Sequence, residues 1–272
     1  MKTQILARRL RPFALLAALA LAPVFSPAAT EFRYLADAPA SIEALVAPIP
    51  PPPPDDSYAG RADIETLLQV QKDRTPAQIK RAAIVASLRA VWMGQRVFGP
   101  SFTKENLPLT YAFLHHANLE RHEVAASAKE RWNRVRPFDR GLGVEMTVPR
   151  RPSGTSYPSG HSASGGCYAA LYSAAMPEYT ALFDEAMREI MWCRVIAGVH
   201  YPTDTQAGAD LGLAIGREML KNPATQAAVR EMRAEIIAFL QKNPDAAAFA
   251  EKTAGTRLAK ELKPKEAKTT KP

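Results

Sequence analysis

Hydrophobic positions along the chain recur at the three-and-four spacing of helices, and alternating strand patterns are scarce. Ile64, Leu67, Leu68 and Val70 mark one such run over residues 62–73. Thr75-Pro76 then offers an N-cap with proline at the first helical position, opening a run through Ile79, Ala83, Ala86 and Val91. Residues 107–135 form a long helical stretch that reads as two pieces. Further runs cover 162–175, 178–197, 202–220 and 224–241, divided by turns containing proline or glycine. No internal repeat of fixed period appears. The expected fold class is all-α, a helical bundle. The one long irregular stretch is 137–157, and a loop of that length inside a compact helical body is usually functional.

The two ends of the chain depart from this pattern. Lys2, Arg8, Arg9 and Arg11 precede an apolar run from Phe13 to Phe25, and Ser26-Pro27-Ala28 supplies the small residues of a cleavage site. Residues 1–28 therefore read as a secretory signal peptide; the run is too short, and too broken by Pro23, for a membrane anchor. Arg8-Arg9 lacks the flanking consensus of a twin-arginine signal, which leaves the route of export open. Residues 29–56 are a Pro/Ala-rich lead-in whose prolines at 50–54 suit an extended surface segment or a linker. Residues 57–245 hold the single all-α domain, and 246–272 a Lys-rich tail of disordered composition.

Charge changes the picture once its position is considered. The formal net charge is +8. Four basic residues of the signal contribute to it, as do seven from Lys252 onward that face only Glu261 and Glu266. The body between is close to neutral, which argues against nucleic acid as a partner. No stretch after the signal approaches the ~20 apolar residues of a bilayer crossing, so a soluble, periplasmic or secreted protein is expected. In such a compartment Cys167 and Cys193 either pair or remain two buried thiols. A homo-oligomer is compatible with the sequence, and nothing specifies one.

Three short segments carry the candidate chemistry. The first is Lys129-x6-Arg136-Pro137. Seven residues are two helical turns, so both stems share a face; arginine forks onto two oxyanions while lysine acts as a point charge. Pro137 disfavours helix at Arg136 and places the guanidinium where the chain leaves the helix. Taken alone, a solvated basic face including Arg131 and Arg134 explains these residues as well. The second is Tyr157-Pro158-Ser159-Gly160-His161. Ser159 caps a helix, Gly160 lets a ligand approach the backbone, and the helix N-terminus offers N–H groups to phosphate beside the titratable His161. A capped, buried helix with a packing histidine is the alternative. The third is Arg194-x5-His200-x3-Asp204. Arg194 ends an apolar helix, where a cation needs a partner. Asp204, one helical turn after His200, can accept its Nδ1–H and leave Nε2 bare and nucleophilic. A structural His–Asp pair accounts for that segment alone.

In this order, in a chain with only five histidines, the three segments resemble a signature shared by type-two phosphatidic acid phosphatases, vanadium haloperoxidases and bacterial class A non-specific acid phosphatases. The likeness is closest to the class A enzymes. It extends through the prolines at 51–54, Leu107-Pro108-Leu109-Thr110, Ala128-Lys129-Glu130 and Ser156 to His161, covering roughly residues 50–220. The resemblance implies a helical bundle with its site at one end. It also implies an exported acid phosphatase that hydrolyses small phosphomonoesters through a phosphohistidine. His200 would attack phosphorus with Asp204 orienting it; His161 would protonate the leaving alcohol and then activate water. Lys129, Arg136, Ser159, Gly160 and Arg194 would hold the phosphate oxygens, the cations filling a metal's role, so no metal or cofactor is expected.

Two departures from the family pattern stand out. Cys193 replaces the serine usual before the third-segment arginine, which weakens one phosphate hydrogen bond. Thr155 replaces a common glycine, which restricts the loop. Two other readings are a vanadate-dependent haloperoxidase-like enzyme and a non-catalytic periplasmic phosphate-binding protein. His122-Glu123 begins like a zinc-protease motif but lacks the second histidine. Tyr111, Phe113 and Trp132 read as core, and Arg150, Arg151 and Tyr157 as the loop feeding the site.

Overall fold

The computed structural model describes residues 31–36, 39–87, 90–148, 152 and 154–254. Among them are the helices α1 (Pro39–Val46), α2 (Tyr58–Asp73), α3 (Pro76–Ala86), α4 (Trp92–Phe98) and α5 (Pro108–Trp132). Then follow α6 (Gly160–Ala175), α7 (Thr180–Ile196), α8 (Pro202–Met219), α9 (Pro223–Lys242) and α10 (Pro244–Ala254), with no strand among the described residues. The fold is all-α.

Local chemistry sets the boundaries. α2 begins earlier than its apolar pattern because the Ser57 hydroxyl accepts the Gly60 N–H at 3.0 Å. α3 has the expected cap, with Thr75 and Gln78 forming a reciprocal capping box, and it ends at Ala86 rather than running on to Val91. α5 is one unbroken 25-residue helix, not two pieces. It stops at Trp132 because Asn133 turns left-handed (φ 42°) and gives its N–H to the Lys129 carbonyl.

Both ends that composition had set aside contribute helices. α1 lies within the Pro/Ala-rich lead-in and buries Val46. α10 runs into the residues assigned to the tail, burying Ala246 and Ala250 as it packs beside α4 and α9. The difference is physical: sparse but well-placed apolar side chains suffice when a neighbouring helix covers them. The prolines at 50–54 lie on the body, where the Pro50 carbonyl accepts the Tyr157 hydroxyl at 2.5 Å. The expected signal peptide and the tail beyond 254 lie outside the described residues.

α6 is the central helix, buried among α5, α7, α8 and α9. Its approach to α8 is unusually close. Gly208, Gly212 and Gly216 recur every four residues on the facing side of α8. A Cβ on Gly212 would stand 2.1 Å from the Ala163 carbonyl oxygen, and one on Gly208 2.3 Å from that of Ser159. Only glycine allows the two backbones this contact. The Ser159 N–H also donates to the Asp204 carbonyl at 2.9 Å, so α6 and α8 begin side by side. α5 lies antiparallel to α6: Asn118 meets Ser164, while Lys129, further along α5, meets Thr155 just before α6.

The described residues of the 137–157 segment are irregular after one 3-10 turn (Pro137–Asp139). Gln71 of α2 holds it by donating to the Gly143 carbonyl and accepting from the Glu145 N–H. Gly198 (φ +68°) lets it pass, since a Cβ there would meet the Glu145 carbonyl oxygen at 2.5 Å. Arg150 and Arg151 lie outside the described residues. Cys167 and Cys193 are separate buried thiols.

Candidate active site

The last turn of α5, the first turn of α6 and the ends of α3 and α7 surround a cavity of about 660 Å³. Six of the eight site residues expected from sequence line it: Lys129, Arg136, Gly160, His161, Arg194 and His200. Among its described lining residues there is no aspartate or glutamate. Ser159 and Asp204 are fully buried behind this wall. The Ser159 hydroxyl accepts the Ser162 N–H at 3.4 Å and the Ser162 hydroxyl at 3.1 Å, capping α6 instead of facing the cavity. Gly160 borders open space, since a Cβ there would meet nothing within 4 Å.

His200 stands just ahead of α8 and is 2% exposed. Its Nδ1 lies 3.3 Å from Asp204 Oδ2, while its Nε2 lies 3.2 Å from Arg136 Nη1. An arginine N–H can only donate, so Nε2 carries the lone pair and Nδ1 the proton. Burial above all, and then the surrounding cations Arg136 and Lys129, overcome Asp204 and hold the imidazole down at about 3. It is therefore an unprotonated base even in acid.

Asp204 is fixed from four sides. Its Oδ2 accepts the Tyr201 N–H at 3.0 Å and the Ser156 hydroxyl at 2.5 Å as well as facing His200, and its Oδ1 accepts Arg134 Nη1 at 2.7 Å. Burial opposes ionisation, but the His200 hydrogen bond, Arg134 and Ser156 outweigh it and keep the carboxyl below its ordinary range. Arg134 reaches on to Asp63, with Nη2 2.9 Å from Oδ2. Asp63 in turn accepts the Thr203 N–H at 3.0 Å and bonds the Thr203 hydroxyl.

The cations in front of His200 are held mainly by backbone carbonyls. Lys129 gives its Nζ to the Thr155 carbonyl at 2.7 Å, and burial, then Arg136, brings it down to about 8. Arg136 bonds the carbonyls of Gly154 (2.9 Å) and Val199 (3.0 Å). Arg194 is 2% exposed, and its Nε and Nη1 find no hydrogen-bond partner among the described residues. Burial and Arg136 lower it to about 10. His161 donates Nε2–H to the Ala86 carbonyl at 3.1 Å, which leaves Nδ1 as the nitrogen that can exchange a proton. Burial first, then Arg194, holds it near 3.

An orphaned buried donor is costly unless something arrives to accept from it. Two such donors on Arg194, set beside Lys129, Arg136 and His161 with no acid among the described lining residues, make a receptacle for a tetrahedral oxyanion. The comparisons with known proteins say which kind. Residues 111–227 match the model of the PAP2 superfamily. A non-specific acid phosphatase of Salmonella typhimurium aligns at 30% identity over 197 residues, 69% of this chain and 78% of that protein. The chain belongs to this family. A non-specific acid phosphatase of Salmonella typhi matches at 29% over 198 residues, 69% of this chain and 78% of that one. The fold is also that of a bacterial vanadium-dependent iodoperoxidase (TM-score 0.52, 17% identity, covering 67% of this chain and 53% of the other). The protein is thus a phosphatase of the PAP2 superfamily, as its three segments imply.

Sequence reasoning missed several residues of the phosphatase site. Arg134 read as part of a solvated face, yet its side chain is 8% exposed and joins Asp63 to Asp204. Asp63 sits 71 positions from Arg134, and only the fold brings them together. Arg121 and Asn118 were legible in principle, since both precede Lys129 on α5 by spacings that keep them near its face. Cys193 does not line the cavity.

Proposed function

We propose that this phosphatase hydrolyses phosphomonoesters by double displacement at His200, without a metal. The observation that carries this reading is Arg194: a buried guanidinium with two unsatisfied nitrogens, beside a histidine whose Nε2 holds a lone pair. A phosphate dianion would accept from Arg194, Lys129 and Arg136. Because Arg136 already touches Nε2, an oxygen that it binds brings phosphorus next to the attacking nitrogen. Asp204 keeps the Nδ1 proton in place and stabilises the phosphohistidine. The cations spread along the equatorial oxygens stabilise the charge of the transition state.

His161 takes the acid–base role. Burial first, and then Arg194 and its neighbours, keep a proton off it; an arriving dianion offsets the cationic part and raises its basicity. It then gives the proton to the leaving oxygen and recovers one from the attacking water. Export rests on residues 1–28 acting as a signal peptide.

Labelled phosphate should be trapped on the protein by acid quench during turnover and be absent from His200→Ala; label persisting in that variant removes His200 as the nucleophile. Turnover of a chromogenic aryl phosphate should survive a strong chelator. The N-terminal sequence of the exported protein should begin near residue 29.

A further inference from the structure

The cavity continues well past the groups that would hold one phosphate. Lys129 and His161 stand at one end, on the last turn of α5 and the first of α6. Deeper along the same antiparallel helices stand Arg121 on α5 and Tyr168 on α6. At ~1.5 Å per residue these lie about 12 Å and about 10 Å further along their helices. The Arg121 guanidinium bonds Asn118, which meets Ser164 about one turn beyond His161, so the span to its charge is shorter than the rise along α5.

Arg121 is 4% exposed. Its Nε and Nη2 bond the Asn118 Oδ1 at 3.2 and 3.0 Å, an oxygen that the Ser164 hydroxyl also bonds at 2.9 Å. The amide fixes the direction of the guanidinium without neutralising it, and no carboxylate among the described residues bonds Arg121. Tyr168, 5% exposed, lines the same cavity and adds a phenol hydroxyl. The wall between the two ends includes Ala83, Ala86 and Val148, which offer carbon to an organic spacer.

We infer that the cavity is shaped for phosphomonoesters whose leaving group carries a second anion, phosphate or carboxylate, no more than about 10 Å from the first, with Arg121 and Tyr168 receiving it. The geometry is a fork-shaped donor and a phenol beyond the reacting centre, in a cavity with no acid among its described lining residues. This inference rests on the phosphatase site being where the preceding section puts it.

The test is competitive inhibition of aryl phosphate turnover by alkane bisphosphonates of increasing length, each against the monophosphonate of equal length. At the length that spans both ends, the bisphosphonate should bind about tenfold or more tighter than its monophosphonate, and shorter ones should show no advantage. Arg121→Gln should erase that advantage and Arg121→Lys should retain part of it. Equal affinity of the two series at every length in the unmodified protein overturns the second subsite, and needs no variant to fold. An advantage that survives Arg121→Gln also overturns it. Failure to turn over any aryl phosphate would instead count against the phosphatase site itself.

Discussion

Two groups of charge lie on either side of His200, and they are built by opposite rules. Behind it, Arg134 is clamped between Asp63 and Asp204, all three nearly sealed from water. In front of it, Lys129 and Arg136 meet backbone carbonyls, Arg121 meets an amide, and two nitrogens of Arg194 have no hydrogen-bond partner among the described residues. The rear group finds its ion-pair partners within the fold, one guanidinium between two carboxylates. The front group keeps donors on Arg194 that an anion from outside can satisfy. Burial is the same on both sides, so burial alone does not mark function; the missing counter-charge does.

Removing the clamp should break this comparison most severely. Arg134→Met strands Asp63 and Asp204 and should cost about 3–5 kcal/mol in urea denaturation, with His200 losing its support. A loss below about 1 kcal/mol would mean that the rear pairs hold nothing together. Arg194→Met is the mirror experiment. It should lower kcat/KM by about 10²–10³-fold, some 3–4 kcal/mol of transition-state stabilisation, while the urea midpoint holds or rises. A parallel loss of stability would place Arg194 with the rear group.

Inorganic phosphate sharpens the contrast from the ligand's side. At about 100 times its Kd it should stabilise the unmodified protein by ~2.7 kcal/mol, read as a raised Tm, and should do much less for Arg194→Met. Acid should act in the opposite direction. His161 and His200 are held near 3 in the folded protein against an ordinary value of 6.5. Between those values the unfolded chain binds more protons, so stability falls as pH drops through that window. His161→Phe should flatten the slope; an unchanged slope would show that His161 titrates normally. The smallest effect is expected of Cys193→Ala. Its thiol is buried outside the cavity, so kcat/KM should stay where it was, and a large fall would restore residue 193 to the phosphate site.

Much of this was legible in the chain because the front group is written locally. Lys129 and Arg136 declare themselves by helical spacing, His161 and Gly160 by the cap that Ser159 makes, and Arg194 by a cation ending an apolar helix. The rear group is not local. Nothing near Asp63 in sequence announces Arg134, and a charged residue that ends a helix looks solvated until its partner arrives from 71 positions away. Helices were legible where a broad apolar stripe repeats, as in α8. α1 and α10 escaped because each buries little and depends on neighbours to cover it.

The glycine contact between α6 and α8 has a consequence for how such an enzyme can change. With no side chains between them, the two backbones have no slack to take up, and the helix that begins beside His161 is locked to the one that follows His200. The separation of the two imidazoles is therefore a constant of the scaffold. Accommodation of esters of different bulk falls to the opposite walls, where Ala83 and Ala86 of α3 and Asn118 and His122 of α5 can be exchanged without disturbing that spacing.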